Sequence, residues 1–243
     1  MPIIYLSPST QEGNMYVIGG SEEYYMNLLA DRLEPYLRAN LIRFVRNTPD
    51  MTAASSIRAS NEGRYDLHLG LHSNAAPEAQ SGQVRGSEVY YYPTSYWGQR
   101  AASAIAEHLR TIYPLSVRTL PSTFIGELRL TEAPSAFVEL AYHDNVQDAT
   151  WIAQNLDPAA RAIANGLTDY FGVPFATPVI PPRTGTVTLT SGRLNVRSYP
   201  SINTPIVASL ENGTQVTIVG EVGNWYAIER GEQRGYVRKD FIR

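Results

Sequence analysis

The sequence predicts an α/β fold, a mostly parallel twisted sheet flanked by helices, followed by a small all-β barrel. Three observations carry that reading. Short apolar runs alternate with helix-period runs over residues 1–173. Residues 174–185, PFATPVIPPRTG, hold four prolines. Beyond them lie about sixty residues of short alternating runs (TVTLT, LNVRS, IVASL, QVTIV, WYAIE, GYVRKDFI) separated by SGR, NGT, VGN and RGE turn signals. Strands alternating with helices imply a largely parallel sheet covered on both faces. A proline-rich stretch reads as a semi-rigid linker. Three segments follow: 1–173, a linker over 174–185, and 186–243.

Taken in order, IIYL (3–6) is a short buried strand. SEEYYMNLLADRLEPYLRAN (21–40) places apolar residues at 25, 28, 29, 33, 36 and 37, a helical period. Ser21 is its expected N-cap, and Pro35 is expected to kink or end it. IRFVRN (42–47) is a strand, and 52–63 a short helix capped by Thr52. Residues 66–72 and 87–92 are strands, 95–112 and 157–171 helices, and AFVELAY (136–142) a buried strand. In such sheets ligands gather beyond the carboxyl ends of the strands.

The bulk composition narrows the function. The 243 residues are 43% hydrophobic and 18% charged, an ordinary globular make-up. A net charge of −3 carries no basic footprint for nucleic acid. There is no cysteine, so disulfides, thiolate metal sites and cysteine nucleophiles are excluded, and any metal must be held by His, Asp or Glu. No apolar run approaches the ~20 residues of a membrane span. The opening MPIIYLSPS has neither a basic n-region nor a long apolar core, so no signal peptide is predicted.

The chemistry concentrates at DLHLGLHSN (66–74). His68 and His72 share a strand face but lie about 13 Å apart, too far to bind one ion. His72 stands at the carboxyl end, where a site belongs, whereas His68 lies deep and reads as a hydrogen-bonded core histidine. Glu23 sits in the first turn of the long helix, where a carboxylate suits the positive helix end. Glu139 interrupts an otherwise apolar strand, and buried carboxylates require a partner or a task. His143 and Asp144 follow at that strand's end. An imidazole, a helix-borne carboxylate and a buried glutamate suit a catalytic zinc centre with a non-ligating base.

The order Glu23…Asn27-Leu28, DLHLGLHSN, LRLTEAPSAFVELAYHDN (128–145) resembles the zinc-dependent N-acetylmuramoyl-L-alanine amidases over roughly residues 3–173. The resemblance implies that Glu23 and His72 bind Zn2+, that Glu139 is the general base, and that Arg129 and Asn74 lie near substrate. Those enzymes usually carry D-x-G-H-G after the first strand, whose His is a third ligand. Here LSPSTQEGN (6–14) has none, leaving His143 or Glu12 to complete the shell. The implied substrate is the amide between N-acetylmuramic acid and the L-alanine of the peptidoglycan stem peptide. The implied place of action is the extracellular cell wall, as for an autolysin.

Residues 184–243 resemble bacterial SH3 domains through LNVRSYPS, ENGTQVTIV, NWYAI and GYVRKDFI. Leu194, Val196, Val216, Ile218 and Val237 alternate inward. Trp225 and Tyr226 are either core anchors or walls of a groove for peptidoglycan. A monomer is expected. Two further readings stand beside the amidase: a wall-binding protein with a degenerate amidase domain, which would bind no metal, and a zinc carboxypeptidase-like enzyme, which would cut free peptides.

Overall fold

The computed structural model describes all 243 residues, Met1–Arg243. Its first sheet contains β1 (Ile3–Pro8), β2 (Arg43–Arg46), β3 (Leu67–Asn74), β4 (Ser87–Tyr91), β5 (Val117–Pro121) and β6 (Ser135–Tyr142), in the order β2-β1-β3-β6-β4-β5. β1/β3, β3/β6 and β4/β5 pair in parallel, while β4 runs antiparallel to β6. The sheet is therefore mostly parallel, as the strand–helix alternation predicts. Its helices are α1 (Glu22–Ala39), α2 (Ala53–Glu62), α3 (Tyr96–Leu109), α4 (Gly126–Arg129), α5 (Val146–Gln154) and α6 (Leu156–Phe171).

β1 and β3 are buried along nearly their whole length, as central strands covered on both faces must be. α1 runs through Pro35 to Ala39 rather than ending there. α2 starts at a capping box in which Thr52 and Ser55 exchange side-chain and backbone hydrogen bonds. β5, α4 and α5 are absent from the sequence-based reading. Each is short, and α4 has only four residues, too few for a helical period to show.

The second sheet is all antiparallel in its pairings: β7 (Thr177–Thr186), β8 (Leu194–Arg197), β9 (Ile206–Leu210), β10 (Gln215–Val222), β11 (Trp225–Arg230) and β12 (Gln233–Arg238), ordered β7-β10-β11-β12-β8-β9. The expected linker over 174–185 is thus corrected. Most of it is β7, paired with β10 from Thr186↔Gln215 to Thr177↔Glu221 across a bulge. Pro178, Pro181 and Pro182 are tolerated because β7 is an edge strand, where a missing N–H costs no ladder bond on the open side.

Contacts divide the chain into two compact units, residues 2–33 with 44–170, and residue 1 and residues 34–43 with 171–243. The division departs from the chain-order boundary at 173. In the second unit, Leu41 packs with Val219, Trp225, Ala227 and Tyr236. Gly220 lies so close to Ala39 that a Cβ there would come within 2.7 Å of its Cβ. The predicted inward residues Leu194, Val196, Val216, Ile218 and Val237 do form the main core, with Val187, Leu210, Ile228 and Ile242.

Trp225 is 8% exposed, so it is a core anchor and not a groove wall. Its truncation to Ala is expected to destabilise this unit by about 3–5 kcal/mol, the usual cost of removing a buried large aromatic. Urea unfolding followed separately for the two units checks this. Tyr226 remains partly buried, with Arg183 5.2 Å and Lys239 5.0 Å from its ring centre.

Candidate active site

The site lies in the first unit at the carboxyl ends of β3 and β6, where His72 and Glu139 are register partners. The face of α1 that meets the sheet runs through Glu22, Met26, Leu29 and Leu33, a spacing of four, three and four. Glu22 is 1% exposed and its Oε1 lies 2.8 Å from His72 Nδ1. Glu23 falls about 100° further round the helix, and its oxygens meet only the Asn27 amide. The helix-borne carboxylate at this site is therefore Glu22 and not Glu23. The helical period already marks it: Glu22 is four residues before Met26 and seven before Leu29 on the buried face.

His72 is held from both sides. Its Nε2 donates to Glu127 Oε1 at 3.1 Å, and Glu127 Oε2 accepts from His68 Nε2 at 2.7 Å. The Ser60 hydroxyl meets His68 Nδ1 at 2.9 Å. His68 is buried and bonded, as expected of a core histidine, but its partner joins it to the site. Glu127 is a site residue that the sequence-based reading lacks. It lies on the short α4, far from β3 in sequence, and no local pattern pairs it with two histidines.

Charges follow from these contacts. Burial by itself lowers the His72 pKa, but the hydrogen bonds to Glu127 and then Glu22 outweigh it and raise it to about 10. Burial raises Glu127, yet its bonds from His68 and His72 hold it well below the usual carboxylate range. Glu22 shows the same competition, with His72 and Asn14 keeping it low; Asn14 Nδ2 donates to Glu22 Oε2 at 2.6 Å. Glu139 is the opposite case. Its Oε2 is buried without a hydrogen-bond partner, and burial pushes its pKa up to about 8, with His72 opposing and Glu22, Glu88 and Glu127 adding to the rise.

The remaining candidates separate clearly. His143 makes no hydrogen bond or ion pair with Glu22 or His72. Its Nδ1 faces the Ser73 carbonyl at 2.9 Å and the Ser73 hydroxyl at 3.1 Å, and its ring stacks on Tyr16. Glu12 is exposed in the loop after β1. The side chain from that loop that approaches His72 is Gln11, with Nε2 3.4 Å from Nδ1. Replacing His143 or Glu12 with Ala is therefore expected to leave metal uptake unchanged, as read by metal per mole after gel filtration. The His143 variant should also lose on the order of 1–3 kcal/mol of stability through its orphaned partners.

Asn74 lines a cleft of about 520 Å³ with Tyr90, Ser122, Phe124 and Glu139 among its walls. Asn74 Nδ2 donates to the buried Glu88, which also accepts from Tyr90 Oη at 2.5 Å and pairs with Arg118. Arg129 is exposed on α4, does not line this cleft and makes no ion pair.

Residues 9–169 match the N-acetylmuramoyl-L-alanine amidase family. The chain belongs to that family. Residues 192–243 of this amidase-family chain match the bacterial SH3 domain. The amidase AmiC2 of Nostoc punctiforme superposes with a TM-score of 0.60 at 20% identity, over 70% of this chain and 97% of that one. The catalytic domain of the amidase CwlV from Bacillus (Paenibacillus) polymyxa gives a TM-score of 0.62 at 16% identity, over 72% and 100%. At these identities the likeness is one of fold. Bacteriocin BCN5 of Clostridium perfringens is 27% identical over 122 residues, 49% of this chain and 14% of that protein, so the chain matches only a small part of that curated relative.

The donor set bears on whether a zinc ion suits this amidase domain. With Glu127 ionised, the Nε2–H of His72 is committed to it, leaving Nδ1 as the free donor of a neutral ring. Nδ1 and Glu22 Oε1 then face each other at 2.8 Å with lone pairs on both, an arrangement that needs a proton or a cation between them. The pair offers two of the donors that a divalent ion would need. No group of three His, Asp or Glu side chains is arranged to hold one, so the remaining positions fall to water, substrate or the Gln11 amide.

Proposed function

We propose that the first unit hydrolyses the amide joining N-acetylmuramic acid to the L-alanine of the peptidoglycan stem peptide. Zinc would be held by Glu22 and His72, with Glu139 as general base. The observation that carries this reading is Glu139: a carboxylate with a buried, unpartnered oxygen at the wall of an open cleft, in register with His72. A buried charge without a partner is costly, and catalytic sites are where such groups persist.

When bound, zinc supplies a positive charge that acidifies an attacking water and polarises the amide carbonyl. Glu139 accepts the proton of that water as its oxygen bonds to the carbonyl carbon. Glu139 then delivers the proton to the alanine nitrogen as the C–N bond breaks, so that a carboxylic acid and an amine leave. A pKa near 8 suits both halves of that transfer. Asn74 and Tyr90 offer polar contacts along the cleft, and Phe124, 93% exposed, offers an apolar rim. Arg129, outside the cleft lining, would meet only parts of the substrate beyond it.

The SH3-type unit would hold the enzyme on the extracellular wall and raise the local substrate concentration. Tyr226, with Arg183 and Lys239 beside it, is its candidate contact for the anionic polymer. The chain would act as a monomer.

The two-residue donor set favours a second reading, a wall-binding protein without turnover. Purified sacculi incubated with zinc-loaded protein separate the readings. Release of stem peptides with free L-alanine amino groups supports the amidase. Binding to sacculi without release supports the adhesin. Cleavage of free peptides with sacculi untouched would support a carboxypeptidase-like enzyme.

A further inference from the structure

We propose that Glu127 and His68 form a positioning dyad that locks the His72 ring with its proton on Nε2, so that Nδ1 stays turned toward Glu22 for a divalent cation. The proposal rests on the reading that Glu22 and His72 hold that cation.

The geometry is a single buried line: Ser60 Oγ to His68 Nδ1, 2.9 Å; His68 Nε2 to Glu127 Oε2, 2.7 Å; Glu127 Oε1 to His72 Nε2, 3.1 Å; His72 Nδ1 to Glu22 Oε1, 2.8 Å. None of the five residues exceeds 5% exposure. The two imidazoles share one strand face with Gly70 midway between them. The glycine makes the bridge possible, since a Cβ there would lie 2.6 Å from the Phe137 ring and 3.4 Å from Glu127 Oε2. That same Phe137 ring stacks on His72 at 4.1 Å, and Tyr5 stacks on His68 at 5.4 Å, fixing both ring planes.

Stability alone gives weak grounds for this arrangement. A buried ionic group is often no better than well-packed apolar side chains of the same volume. A task accounts for it better. A carboxylate gripping the far nitrogen of a metal-binding histidine sets the ring's tautomer and orientation and strengthens its donor atom. His68, by holding the second oxygen, prevents Glu127 from rotating away. Glu127 and His68 are thus positioning residues and touch no reacting atom.

The test uses full-length protein labelled with 15N at histidine. Long-range 1H–15N correlation spectra of the zinc-loaded wild type should show His72 protonated at Nε2, with Nδ1 carrying the metal-bound shift. Chelator competition should show Glu127→Gln binding zinc ~10–100-fold more weakly, the usual effect of removing such a partner. His68→Phe keeps the stack on Tyr5 and removes the second grip together with the Ser60 bond; it should weaken binding by a smaller factor, about 3–10-fold. A wild-type spectrum with the proton on Nδ1 and zinc on Nε2 overturns the dyad. So does a zinc affinity unchanged in both variants. The wild-type spectrum decides even where a variant fails to fold. Failure of the wild type to take up zinc at all would overturn the metal reading itself, a different result from zinc uptake that the variants match.

Discussion

Glu139→Gln is expected to abolish turnover, by a factor of about 10²–10⁴ for loss of a general base, while retaining zinc and raising the stability of the metal-free protein. The second effect is the more diagnostic. In the folded chain the carboxyl titrates near 8, against 4.5 when solvated. Between those values the unfolded state is ionised and the folded state must keep a proton. Stability therefore falls as pH rises from about 4.5 to 8 and then levels off. The neutral amide has no such dependence. The melting temperature of metal-free Glu139→Gln should match the wild type near pH 4.5 and exceed it increasingly toward pH 8. The gap corresponds to something on the order of 5 kcal/mol, since each pKa unit is worth about 1.4. Near-normal turnover would remove Glu139 from the role. A melting difference that is flat in pH would mean that the carboxyl is not held in its neutral form.

Glu22→Gln and Glu23→Gln should behave as opposites although the two residues are neighbours. In the proposed site Glu22 would supply one of the two donor atoms; its oxygen lies against His72 Nδ1 and the Ser73 N–H. Its conversion to an amide should lower zinc affinity by at least ~100-fold, and hydrolysis with it, because on the proposed reading the lost group would be a charged ligand of the metal. His72→Ala should do the same. Glu23→Gln should keep both within about threefold, as surface changes away from such features do. Equilibrium dialysis against zinc, with stem-peptide release measured alongside, checks all three. Loss of zinc in Glu23→Gln with retention in Glu22→Gln would reverse the assignment of the helix carboxylate.

The contrast between those neighbours shows how far the sequence could be read. The strand 66–74 and the apolar strand around Glu139 carry period-2 and buried-run signals strong enough to place His72 and Glu139 on strands, and there they are register partners. The helix was equally legible as an element, but the choice within it turned on 100° of rotation. That rotation is set by which face the sheet covers, and Met26, Leu29 and Leu33 mark it only when Glu22 is counted with them. His143 stands at the expected strand end, yet its Nδ1 is taken by the Ser73 hydroxyl and carbonyl and it makes no contact with Glu22 or His72. The proline-rich stretch was misread for a related reason. Proline rules out a central strand, but whether a segment becomes a linker or an edge strand depends on whether a partner strand lies beside it.

From the sequence by itself came the α/β character, the all-β C-terminal module with its five inward residues, the exclusion of thiolate chemistry, and the placing of His72 and Glu139 on buried strands. Those properties reside in composition and in periodicities of two and 3.6, which are local. Only the tertiary structure decided that Glu22 faces His72, that Glu127 bridges two histidines four residues apart, and that Trp225 is core. Each of these is a meeting of side chains distant in sequence, settled by which faces pack together; the helical period marks the face that Glu22 shares but not what that face meets.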